Sequence, residues 1–597
     1  MHIPSSSLAC VATLLTVITT THAFATLPST GNSSNVTARA DAIREKAAGW
    51  LYGPSLIGNA AFFPTGVLAE KRIQSDIELF KVDSNFIRSA VVVDSPRVQQ
   101  AIAANGGLNS TDDYIHVLYD GQWLNAVPAG TSKGILANYT SDLLFSMSRL
   151  SLNSWPLRRL ARSDDLPFSL DDDTAVQITT LTLAALKEAR RLFVVDHSYQ
   201  QRYKKSPLRY GAACTALFFI HPVSGDFLPL AIKTNTGADL VYTPLDGEMD
   251  WMLAKIMFNS NDLLHAQLYH LVASHNVAEI VHQAAMRTMS DEHPIMLLLD
   301  RLLYQAYAAR PVGDSIELFA DGGAFDQAFH MTARGAKEFV AEWYPVAGRL
   351  KSNYLDPDLA SRGLIECSDG PALKHFPFYE DVKPIHAGIK KFITSFVDTY
   401  YSSDAIIAED TELAAWVTEA RTNAQVLDFP CAVQAYGTVP PTCTKAHIID
   451  LLTHIAYLVG VQHQALNTGA GFQSTGTLPL HPVALNAPLP TAKNVTDVLP
   501  WLLPPAAAVF QLNLLALFNR PTYESLNKTL VWQFSDDTFL SNFPSTISEA
   551  AQTFKETMEE VSRGIRAKTF DSEGLSQGMP FVYRNLDPGT VPFYLAI

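Results

Sequence analysis

Apolar residues recur at three- and four-residue spacing through MDWMLAKIMFNSNDLLHAQLYHLVASHNVAEIVHQAAMRTM, within a stretch of about 245–310, and again through KAHIIDLLTHIAYLVGVQHQAL over 445–466. That period predicts two long, mostly buried helices. The apolar runs at 214–220 and 228–232, separated by HPVSGDF, instead predict a β-hairpin. Proline-rich patches at 429–442, 479–490 and 500–505 are short and lie between helical patterns, so they read as loops inside one domain. Residues 26–45 are small and polar and are expected to form a flexible lead-in. No internal repeat is evident. The pattern predicts a mainly α protein with a minor β-sheet, in a single large domain over 46–597.

The bulk numbers narrow the class. At 597 residues and 47% hydrophobic content the chain can bury a large core, although length alone would allow roughly two to four domains. A net charge of -15 with no basic block argues against nucleic acid or an anionic membrane as the main partner. The first 25 residues carry no Asp, Glu, Lys or Arg, run apolar from Leu8 to Val17 and reach Ala23-Phe24-Ala25, the layout of a secretory signal peptide over 1–25. The apolar run is too short and too rich in threonine for a membrane span. Asn32, Asn35, Asn109, Asn138, Asn494 and Asn527 each begin a glycosylation sequon, which fits an extracellular protein. Without the signal, Cys214, Cys367, Cys431 and Cys443 remain. Cys431 and Cys443 flank a short proline-rich loop and are the preferred disulfide, with four buried thiols as the alternative.

The 17 histidines matter through their grouping. His265, His270, His275 and His282 crowd the first predicted helix, with His293-Pro294 at its end, while His454, His463 and Asn467 belong to the second. His463 and Asn467, at i and i+4, lie about 40° apart on one helical face. His270 and His275, at i and i+5, lie about 140° apart on a regular α-helix, so they can share an ion only if the helix widens into a π turn. An ion bound by neutral ligands needs an anionic oxygen as well, and no Asp or Glu sits at a telling offset for a ligand. The apolar end Phe593-Tyr594-Leu595-Ala596-Ile597 could bury and deliver its terminal carboxylate, although chain ends usually fray.

Together these residues resemble the lipoxygenase family. Trp251 and Lys255, Asn261-Asp262, Gln267-Leu268, His270-x4-His275, His293-Pro294-Ile295, His463-x3-Asn467 and a terminal Ile597 stand in the family's order, and the resemblance runs from roughly residue 50 to the end. It implies a helical catalytic domain and a metal held by His270, His275, His463, Asn467 and the Ile597 carboxylate. Water or hydroxide would take the sixth position, and no further catalytic side chain is implied.

The short N-terminal segment leaves little room for the family's β-barrel lipid-binding domain, and the wording around HPIMLLLDRLLYQAYAARPVG is similar to the secreted fungal branch with manganese. The cofactor implied is one Mn per chain, with Fe the alternative. The partners implied are O2 and polyunsaturated fatty acids, linoleic and α-linolenic, which would become hydroperoxides. A monomer is expected, with membrane contact at most transient for substrate access.

Gln267 is the expected hydrogen-bonding support of the ligands, one position off its place in plant members, and Ala470 stands where those members have a glutamine. Gly313 corresponds to the family position beside the pentadiene that governs where and on which face oxygen adds; the alternative is a turn glycine after Pro311. Arg520 is the candidate for the fatty-acid carboxylate, with an ordinary surface arginine as the alternative. A zinc hydrolase lacks support, because no His-Glu-x-x-His occurs and no glutamate is expected as a general base beside the paired histidines. A secreted lipid-binding protein of the same fold without turnover is the second reading.

Overall fold

The computed structural model describes residues 25–28, 33–58, 60–124, 132–315, 318–431, 443–467, 476–516 and 527–595. Residues 1–24 of the predicted signal peptide lie outside them. The expectation of a flexible lead-in over 26–45 is corrected. Ala25 and Leu27 are buried in the core, and helix α1 spans Ser33–Gly49. What fixes it is charge: Arg39 forms a buried ion pair with Glu412 and also bonds the Thr26 carbonyl, while Lys46 meets Asp291. Composition alone does not reveal such partners, which lie hundreds of residues away.

A hairpin of β1 (Leu51–Ile57) and β2 (Ala60–Thr65) leads into the long helix α2 (Val67–Ala104). A five-stranded antiparallel sheet follows, in the order β3 (Arg158–Arg159), β4 (Leu192–Asp196), β5 (Thr215–Ile220), β6 (Phe227–Lys233) and β7 (Val241–Tyr242). The β5/β6 pair is the expected hairpin, running from Thr215 opposite Lys233 to Ile220 opposite Phe227. Its register slips between Leu217 and Phe218, where Phe218 faces Pro229, since proline offers no N–H to the ladder. Every residue of β5 is buried, which explains its unbroken apolar run.

The first predicted long helix is α3 (Glu248–His270), continuing through a π turn at Leu271–His275 into α4 (Asn276–Met286). It does not run on to 310. The Ser290 amide is taken by the buried Glu412 carboxylate, and a new helix, α5 (Pro294–Leu302), starts with His293 as its cap, accepting from the Ile295 amide. Pro294 at the first helical position has no N–H to leave unpaired. Helix α6 (Ala309–Ser315) follows. Helix α7 (Pro377–Tyr400) packs on the late helix Ser545–Arg566 through Phe392, Phe534 and Phe554.

The second predicted helix is α8 (Lys445–Tyr457), then a π turn at Leu458–Gln462, then α9 (His463–Asn467). Just ahead of it, Cys431 and Cys443 form the expected disulfide. No helix among the described residues is long and apolar enough to cross a membrane, and the described strands form no barrel.

Polar residues buried along α3 set its position. Asp142 accepts from both Trp251 Nε1 and Lys255 Nζ at 2.7 Å. Asn261 Oδ1 accepts the amide of Cys214, the residue just before β5, at 3.0 Å. Asp262 meets the fully buried Arg149 at 3.3 Å and His197 Nε2 at 3.0 Å, and Arg149 with its neighbouring histidines holds that carboxyl below its ordinary range despite burial. These residues of the family pattern fasten α3 to Asp142 and Arg149, which lie ahead of the sheet, and to His197 and Cys214 at the ends of its strands.

Candidate metal centre

Helix α3 arrives at the site with His270 in its last turn. Beyond it, the Asn276 amide donates to the Leu271 carbonyl five residues back, the bond that defines a π turn. The widening turns His275 toward His270, and their ring centroids stand 5.5 Å apart. The second helix repeats the device: the His463 amide donates to the Leu458 carbonyl, again five residues back. His463 thereby faces the first pair, 5.3 Å from His270 and 4.8 Å from His275 between ring centroids.

One nitrogen from each of the three histidines lies within 4.8 Å of the others, and all three residues are buried. His275 Nε2 and His463 Nε2 are 3.0 Å apart. Two lone pairs at that distance repel unless a proton or a cation lies between them. Adjacent ligands at right angles on one ion, with metal to nitrogen bonds of about 2.1 Å, have this separation. Burial and the neighbouring His275 push the His270 pKa well below its ordinary value, keeping it neutral as a ligand must be.

Glu279 was not singled out from the sequence as a participant. It is buried one turn after His275, and its carboxylate accepts from His275 Nδ1 at 3.2 Å. A carboxylate can only accept here, so Nδ1 carries the hydrogen and Nε2 keeps its lone pair toward the other histidines. The expectation that no glutamate stands beside the paired histidines is corrected: the i, i+4 spacing of His275 and Glu279 brings the two side chains together.

Asn467 lies one turn beyond His463 with its side chain 2% exposed, and its Oδ1 has no hydrogen-bond partner among the described residues. A buried amide oxygen left unpaired is costly, and a cation beside His463 would satisfy it. Three imidazoles and an amide oxygen suit manganese or iron. Gln267 does not touch the histidines through its amide: Nε2 donates to the Leu466 carbonyl at 3.1 Å. Gln462 Nε2 answers by donating to the Ala273 carbonyl at 3.4 Å, so two glutamines cross-tie the helices that carry the ligands.

The remaining histidines of the group serve elsewhere. His265 lies beside Asn153, pushed by burial to a pKa of about 3. His282 bridges Asp300 and Tyr307, His293 meets Asp410, and His454 packs between Tyr354 and Tyr457. Gly313 is buried within α6, so it is no turn glycine. Arg520, Ala470 and Ile597 lie outside the described residues; the tail up to Leu595 is buried.

Comparison with known proteins agrees with this arrangement. The Lipoxygenase family model matches residues 170–577. A manganese lipoxygenase of Fusarium oxysporum is 47% identical over 550 residues, 92% of this chain and 88% of the relative. One of Pyricularia oryzae is 47% identical over 568 residues, covering 94% and 90%. A solved manganese lipoxygenase structure superposes with a TM-score of 0.92 at 46% identity, covering 96% of this chain and all of the other. The chain belongs to the lipoxygenase family.

Proposed function

We propose that this chain is a secreted, manganese-dependent lipoxygenase that converts linoleic and α-linolenic acids and O2 into hydroperoxy fatty acids. The observation that carries the reading is the convergence of His270, His275 and His463, with the Asn467 Oδ1, unpaired among the described residues, one turn beyond His463. These four, with the Ile597 carboxylate supplying the anionic oxygen, would hold the ion. When bound, the ion supplies the one-electron couple needed to remove a bis-allylic hydrogen, after which O2 adds to the carbon radical.

The chain's own residues do the rest. Burial keeps His270 neutral, Glu279 fixes the His275 tautomer, and the Gln267 and Gln462 cross-ties hold the two helices in register. Manganese is favoured over iron by the names of the relatives, since the donor set accepts either. Arg520 is our candidate for the fatty-acid carboxylate. A lipid-binding protein without turnover has no observation in its favour.

Gly313 needs no special backbone: a Cβ built there would meet only the Phe319 ring, at 3.8 Å. That leaves room for the role the family resemblance implies, space for oxygen beside the pentadiene, which we keep as our reading. Secretion is supported by the Cys431–Cys443 disulfide and by the exposed sequon residues Asn109, Asn494 and Asn527. Asn138 differs, because its Nδ2 is engaged by the Gly134 and Pro580 carbonyls at 2.9 Å.

Purified enzyme given linoleic acid should consume O2 and form conjugated diene, and Asn467→Ala should lose most of that rate; a wild-type protein that binds linoleate without forming diene would leave the binding-protein reading. Gly313→Ala should fold normally and shift the hydroperoxide isomer ratio on chiral chromatography, whereas an unchanged profile would remove Gly313 from oxygen placement. Protein recovered from culture medium should be a monomer by light scattering, begin near residue 26 and carry glycan on Asn109, Asn494 and Asn527 with Asn138 bare. Retention inside the cell or an occupied Asn138 would contradict this part.

A further inference from the structure

Tyr594, three residues from the chain end, is held from two sides. Its carbonyl accepts from Gln464 Nε2, the residue after His463. Its hydroxyl donates to Asp83 Oδ2 at 2.7 Å, across 511 positions of sequence. Asp83 sits on α2 with no exposed surface, and it also accepts from Gln305 Nε2 at 2.6 Å and from Lys528 Nζ at 2.7 Å.

Lys528 belongs to the segment that pairs with the tail: the Phe593 amide donates to the Lys528 carbonyl at 3.2 Å and the Leu530 amide to the Val591 carbonyl at 2.8 Å. Beside it, the Arg301 guanidinium lies 3.9 Å over the Phe593 ring. At Gly460, in the second π turn, an added Cβ would fall 2.7 Å from Gln533 Nε2 and 3.3 Å from the Phe593 carbonyl, so the tail passes as close as a glycine allows.

Apolar packing alone would bury an aromatic tail. A buried carboxylate and ammonium add little net stability, because desolvation offsets their attraction. Their better-attested use is to fix register, and a metal ligand must be held to within about 0.5 Å. We propose that Asp83 is a positioning residue: through Tyr594 it sets the register of the C-terminal tail, so that the last carboxylate reaches the metal.

This inference rests on the reading of Ile597 as a ligand. It also couples α2 to the metal centre, since a shift of α2 at Asp83 moves the tail.

The test is release of manganese(II) from the loaded full-length protein into excess chelator, followed by the electron paramagnetic resonance of the chelated ion. Tyr594→Phe, which removes one hydroxyl and keeps the ring, should release manganese about tenfold faster, the scale of a lost hydrogen bond to a charged group. Asp83→Asn should do the same, while any fall in metal-free melting of Tyr594→Phe should be the same with and without Ile597. In a chain lacking Ile597, itself fast to release, neither substitution should add more, because both act through the missing carboxylate.

Wild-type release from both variants, beside fast release on deleting Ile597, would overturn the positioning role and leave the ligand reading standing. Slow release after deletion of Ile597 would overturn both. Acceleration of equal size with and without Ile597, or a fall in metal-free melting with unchanged release, would reduce Asp83 to a structural role and overturn the proposal.

Discussion

An α-helix cannot bring residues i and i+5 to one ion, and the site depends on how this chain escapes that limit. The π turn at Leu271–His275 rotates His275 onto the face of His270, and a second at Leu458–Gln462 delivers His463 from the opposite helix. Each widened turn disturbs backbone bonding, and nearby side chains compensate: Gln464 Nε2 takes the Val459 carbonyl at 3.1 Å as well as that of Tyr594. The two π turns and the glutamine ties form one unit, in which the ligands converge because the backbone is held in an uncommon form.

Much of this could be read in the sequence, for identifiable reasons. Helical period is a local signal, so both long helices and the β5/β6 hairpin were visible. The spacing of His270 and His275 carries more, since shared ligation at i and i+5 requires a π turn. The second π turn had no such marker, because His463 and Asn467 fit an ordinary helix. The break before Pro294 and the order of α1 depend on Glu412, whose carboxylate takes Arg39 and the Ser290 amide. Glu279 stands one turn from His275, a spacing shared by ordinary exposed helical pairs, so its contact with a ligand is not separable from them by sequence alone.

The family pattern also mixes two kinds of residue that the sequence does not separate. His270, His275 and His463 converge on one buried site, with Asn467 one turn beyond His463. Trp251, Lys255, Asn261, Asp262 and His293 anchor helices, through Asp142, the Cys214 amide, Arg149 and Asp410. The anchors matter to the chemistry at one remove, because α3 carries His270 and four of them fix its position.

The central claim is that the three histidines converge in order to hold a redox ion. Elemental analysis of the purified, untreated protein tests it most directly. The account predicts about one manganese per chain, lost when His463 is replaced by alanine; iron in its place would keep the site and change the ion. A protein that carries no redox metal, or one whose metal survives loss of His463, would contradict it.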